Sequence, residues 1–186
     1  ALDGWAQQLL TEPETRLARW RALVSHELGN LAGVIIELVP DFGLVLAQPI
    51  SAAPALEPHK TRARLALALR RLLRGAARTG HPIAIFVDDL QWADAGSLFL
   101  IEELATSGLP GSVMLIGSYR DAEVDASHPV TQMLARLSEA QVGPRSLSLG
   151  ALSPEATIAM LAAALHRPPD VVASLASCVA RKTASL

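Results

Sequence analysis

Residues 83–94 read Ile-Ala-Ile-Phe-Val-Asp-Asp-Leu-Gln-Trp-Ala-Asp, and the fold turns on them. An apolar run, Pro82–Val87, follows Gly80 and ends on two carboxylates, Asp88 and Asp89. A short β-branched run bounded in this way is expected to be a strand buried on both faces, as in parallel sheets. Asp94 stands where the N-cap of a helix over Ala95–Ser107 would stand. Further on, Ser112–Ser118 (SVMLIGS) reads as a second buried strand, His128–Gln141 as a helix and Ser146–Leu149 as a third strand. Ser153-Pro154-Glu155 opens another helix, with a Ser cap and Pro at the first position, and Pro169–Thr183 is the last. Strand and helix alternate, so this half is expected to be α/β with a parallel sheet.

Upstream the pattern is helical. Leu2–Leu10 reads as a helix, and Thr11-Glu12-Pro13-Glu14 has capping-box spacing for the next. Leu17, Trp20, Val24 and Leu28 then mark one buried face at helical spacing, ended by Gly29-Asn30. Asn30–Val39 and Asp41–Ala47 read as two short helices split by Pro40. Gln48–Pro58 is rich in proline and reads as a loop. His59–Thr79 is a longer helix with Leu65, Leu69, Leu72, Leu73 and Ala76 on its apolar face. Arg62, Arg70, Arg71, Arg74 and Arg78 lie largely off that face. The organisation expected is a helical segment over 1–81, an α/β core over 82–150 and C-terminal helices over 151–186.

Composition removes several function classes. The chain has 186 residues, 51% hydrophobic and 18% charged, with 16 basic against 18 acidic residues. That is too apolar for disorder, and a net charge of -2 gives no basis for nucleic-acid binding by bulk charge. No stretch approaches the ~20 apolar residues of a membrane span. No signal peptide is expected, and the abrupt ends read as those of a fragment. The single cysteine, Cys178, permits no internal disulfide, and it is expected to be a packed thiol in an intracellular, cytoplasmic protein. Lysine occurs only at Lys60 and Lys182, and alanine is abundant; that bias hints at a bacterial source.

The chemistry resides at the strand ends. Carboxylates at the C-terminal edge of an open parallel sheet stand where ligands bind. Asp88 there can hold Mg²⁺, and Asp89 beside it can orient or deprotonate a water. The same pattern is equally met if Asp88 and Asp89 merely end a strand. For Asp94, a helix cap is the better account. Arg120, at the end of the second strand, can bind a terminal phosphate bidentately, although by itself a surface arginine paired with Asp121 or Glu123 is the simpler account.

Asp88-Asp89-Leu90-Gln91-Trp92-Ala93-Asp94, followed by Ile116-Gly117-Ser118-Tyr119-Arg120-Asp121, resembles the predicted-ATPase domain of bacterial signalling proteins. That domain is a STAND-type branch of the AAA+ group, found in hybrid Ser/Thr–histidine kinases, adenylate cyclases and LuxR-type regulators. The resemblance extends from Leu17-Ala18-Arg19-Trp20 to Lys182-Thr183. It implies a P-loop NTPase sheet of order 5-1-4-3-2, in which Pro82–Val87, Ser112–Ser118 and Ser146–Leu149 are strands 3, 4 and 5. It also implies ATP and Mg²⁺ as ligands, with Asp88 as the Walker B metal residue, Asp89 as the residue of the catalytic water and Arg120 as the γ-phosphate sensor. The family's GxxxxGK[ST] loop is expected upstream of residue 1. Pro54–Thr61 (PALEPHKT) lacks both glycines and a preceding strand, so it is no substitute.

The function expected is an ATP-binding and hydrolysing switch module of a signal-transduction protein, inactive as this chain alone. Its partners would be the parent's other domains and, through exposed sheet edges, other copies of itself. Two other readings remain. One is a non-catalytic protein-interaction scaffold. The other takes Ser25-His26-Glu27-Leu28-Gly29-Asn30 as a phosphoacceptor box centred on His26, although no proline follows where such a box needs one.

Overall fold

The computed structural model describes residues 2–48 and 58–183. They fall into two compact units, Ala1–Pro144 and Arg145–Leu186. The expected proline-rich loop lies outside the described residues except at its ends, and of Pro54–Thr61 only Pro58–Thr61 are described, in the first turn of the fifth helix.

The first unit begins with α1 (Leu2–Leu10), α2 (Glu14–Leu28), α3 (Ala32–Leu38), α4 (Asp41–Leu46) and α5 (Pro58–Ala77). Leu17, Trp20, Val24 and Leu28 form the buried face of α2, as their spacing predicts. They meet Leu69, Leu72, Leu73 and Ala76 of α5 in one apolar cluster. Phe42 of α4 is fully buried at its centre. Its ring lies 6.2 Å from Trp20, stacked, and 5.9 Å from Trp5, edge-on. Each such side chain contributes roughly 1.5–3 kcal/mol by leaving water. Gly75 is the point of closest approach: a Cβ there would lie 2.8 Å from the Val24 Cα. The capping box does not form. The N-cap of α2 is Pro13, and the Thr11 hydroxyl instead donates to the Gln8 carbonyl at 2.7 Å. Thr11 sits two residues too far upstream to reach the orphan N–H groups of a helix that starts at Glu14.

The strands follow: β1 (Ile83–Val87), α6 (Ala95–Thr106), β2 (Val113–Gly117) and α7 (Pro129–Glu139). β1 and β2 form a two-stranded parallel sheet running from Ile83↔Val113 to Val87↔Gly117. Ile83, Ile85 and Val113 pack on the helical cluster, while Val87 packs on a second one made by Leu90, Leu98, Val130, Met133 and Leu137. The expectation of burial on both faces is corrected. Phe86 and Met114, on the opposite face, are 57% and 63% exposed, because helices of this unit cover one side of the sheet.

The second unit holds α8 (Pro154–Leu165) and α9 (Pro169–Thr183), packed on each other through a turn at His166. The Ser153 hydroxyl accepts the Ala156 N–H at 3.1 Å, as its sequence predicts. Ser146–Leu149 is not a strand. An apolar β-prone segment becomes one only with a neighbour to share its N–H and C=O groups. Cys178 is exposed rather than packed; Val172 and Ala176 form the buried face of α9 instead. Among the described residues, no helix is long and apolar enough to cross a membrane.

Candidate functional site

Parallel pairing brings the C-terminal ends of β1 and β2 to one edge. The pairing runs past the strands themselves: the Ser118 N–H donates to the Val87 carbonyl at 3.0 Å, and the Leu90 N–H to the Ser118 carbonyl at 2.8 Å. Asp88 therefore stands beside Ser118, one register step beyond Val87↔Gly117. The chain then turns at Asp89, which adopts the left-handed conformation (φ 53°, ψ 48°), tolerable for an Asp side chain. The turn drives Leu90 down against Gly117, where a Cβ would fall 2.5 Å from the Leu90 Cδ1. Glycine at this place is a matter of room.

Each carboxylate has one oxygen held and one open. Oδ1 of Asp88 accepts the Ser118 hydroxyl and also the Asp89 N–H, the latter at 3.1 Å. Oδ1 of Asp89 accepts Nε2–H of Gln91 at 2.9 Å, and the Arg120 Nε approaches it to 3.8 Å. Among the described residues, neither Oδ2 accepts a hydrogen bond. Arg120 further pairs with Glu123 at 3.3 Å and lies over Trp92, 5.7 Å from the ring centre. Arg120 is thus a surface ion-pair partner of Glu123, as the simpler account has it, and it also stands beside the Asp89 carboxylate.

Asp88, Asp89 and Arg120 are brought together, whereas Asp94 serves α6. Its Oδ1 accepts the Ser97 N–H at 2.7 Å, and that bond holds its carboxyl below the usual carboxylate range. His26 is exposed on α2, and its neighbour Glu27 is committed to Arg78 at 2.7 Å. Ser118 and Gln91 are site residues that sequence reasoning missed. Ser118 was signalled by register, since it ends the second apolar run as Asp88 ends the first. Gln91 had a weaker signal, a polar residue between Leu90 and Trp92.

Among the described residues, no three His, Cys, Asp or Glu side chains converge as a closed metal centre. A hard cation such as Mg²⁺ does not need one, since one or two carboxylates plus water and phosphate oxygens suffice. Asp88, with a free oxygen at the sheet edge, fits that donor set.

The profile of a family described as "AAA ATPase domain" matches residues 1–116. A curated relative from Dictyostelium discoideum, "Hybrid signal transduction histidine kinase G", is 30% identical over 107 residues. The match covers 58% of this chain but spans only 3% of that protein. No solved structure matches the chain significantly.

Proposed function

The chain belongs to the AAA ATPase domain family, and from that premise we propose that it carries the Walker B and sensor part of an ATP-hydrolysing switch in a signal-transduction protein. The finer assignment is to the STAND-type branch. β1 and β2 are then strands 3 and 4 of a 5-1-4-3-2 sheet, and Ser146–Leu149 is the segment that becomes strand 5 once a neighbouring strand is present. The relative's printed name, a hybrid signal transduction histidine kinase, supports a signalling parent. The shortage of lysine and abundance of alanine favour a bacterial one.

One observation carries the reading: two carboxylates with free oxygens and a guanidinium stand together at the C-terminal edge of a parallel sheet. Asp88 would hold Mg²⁺ through its open oxygen. The metal, when bound, neutralises phosphate charge and orients the phosphates. Asp89 takes a proton on Oδ2 from the attacking water, whose oxygen bonds to the γ-phosphorus. The bond from that phosphorus to the bridging oxygen breaks, and its electrons leave with ADP. Arg120 binds the γ-phosphate, for which it must give up its contact with Asp89. A basic side chain that pairs with the base in one state and with phosphate in another makes occupancy legible to the rest of the protein.

The test is Mg·ATP binding and turnover by the full-length gene product. Asp89→Asn should keep nucleotide binding and lower kcat by about 10²–10⁴-fold. Asp88→Asn should weaken the Mg²⁺ dependence. This chain alone, without a phosphate loop, should bind Mg·ATP no tighter than about millimolar. Micromolar binding by residues 1–186 alone would mean that the nucleotide site lies elsewhere. Full-length protein that neither binds nor hydrolyses ATP would leave the scaffold reading, which the open face at Phe86 and Met114 favours.

A further inference from the structure

Gln91 is buried, 8% exposed, in the turn that follows the two carboxylates. A buried primary amide needs partners for both its N–H and its C=O. Both are found, and they lie on opposite sides of the site. Nε2–H donates to Oδ1 of Asp89 at 2.9 Å, and Oε1 accepts the Arg120 N–H at 3.3 Å. One side chain therefore ties the carboxylate after β1 to the backbone after β2. It adds no charge to a place that already holds Asp88, Asp89, Arg120 and Glu123.

We infer that Gln91 is a positioning residue for hydrolysis: it fixes the Asp89 carboxylate and sets its distance from Arg120. The inference rests on Asp89 being the base. Gln91 neither gains nor loses a proton. By occupying Oδ1 it leaves Oδ2 as the oxygen free to receive one, and it stops the carboxylate from rotating. Small losses of such alignment are costly to rate, since a misplacement of about 1 Å is worth on the order of 10². The requirement is for a donor and an acceptor on one carbon. Glu keeps the acceptor for Arg120 but sets a second carboxylate against Asp89. Met keeps the length and loses both bonds.

Those two substitutions separate the roles in the full-length protein. The Arg120 amide should exchange with solvent at nearly the wild-type rate in Gln91→Glu and about tenfold or more faster in Gln91→Met. Exchange in α2 and α5 should be unchanged in both, which shows that the fold is kept. For Mg·ATP hydrolysis, both variants should lower kcat by about 10–100-fold, with KM within about threefold of wild type. The loss in Gln91→Glu, where the Arg120 contact survives, assigns the effect to Asp89. Wild-type kcat in Gln91→Glu, alongside an inactive Asp89→Asn, overturns the inference and leaves the base reading standing. Wild-type kcat in Asp89→Asn, or no hydrolysis by the wild type, overturns the base reading and this inference with it. An Arg120 amide still protected in Gln91→Met overturns the bridge itself.

Discussion

In the helical half, Val24, Leu28, Ile35 and Phe42 are fully buried against one another. In the sheet half, Phe86 and Met114 of the same unit face outward. Helices α1 to α5 enclose an apolar interior drawn mostly from their own faces, with Leu104 of α6 added. The sheet is covered on one side, and its shape at the C-terminal edge is held by polar contacts among Asp88, Asp89, Gln91, Ser118 and Arg120. Packing thus specifies the helical half, and hydrogen bonding specifies the edge. Substitutions should be felt differently in the two.

The largest effect should come from Phe42→Ala, which empties the centre of the helical cluster and should cost about 3–5 kcal/mol in denaturant unfolding. A loss below about 1 kcal/mol would show that the helical interior is loose and would break the contrast. Gly75→Val should cost about 1–3 kcal/mol, since the Val24 backbone offers no flexible group to move aside. Asp94→Ala should lower the melting temperature by less than either, through loss of the α6 cap. Its pH dependence has a definite sign. The folded-state pKa of Asp94 lies below its ordinary 3.8, so the cap contributes fully above that pH and fades on further acidification. Melting curves of wild type and Asp94→Ala should converge as the pH falls below 3.8. Phe86→Ser, on the open sheet face, should change stability by no more than about 0.5 kcal/mol. It should also reduce any self-association seen by sedimentation, because an exposed apolar sheet invites pairing. A cost of several kcal/mol there would mean that Phe86 is covered in solution.

The helical half was legible because period carries burial: residues three and four apart share a face, and Leu17, Trp20, Val24 and Leu28 obeyed that spacing. The caps at Asp94 and Ser153 were legible for a similar reason, since each is decided within one turn. The strands were legible as strands, but not their surroundings. An apolar run such as Ile83–Val87 records propensity, whereas the covering of its faces depends on elements far away in the chain. Ser146–Leu149 failed on the same ground, having propensity without a partner. At the site, Asp88, Asp89 and Arg120 announce themselves by charge at the ends of apolar runs. Gln91 and Ser118 are neutral, and their roles exist only once two strand ends are side by side.

The register from Ile83↔Val113 to Val87↔Gly117 also has a consequence in time. The segment to be closed is on the order of 30 residues, and closing one adds little entropy beyond that of a shorter loop. Such closure takes microseconds or less, whereas a ribosome adds about 5–20 residues per second. During synthesis β1 therefore waits for β2 to be made, and with it waits Phe86. The residues of the polar edge are all in the chain once Glu123 has been added, before the first residue of α8 is translated. The order in which the chain is written thus supplies the residues of that edge before those of α8 and α9.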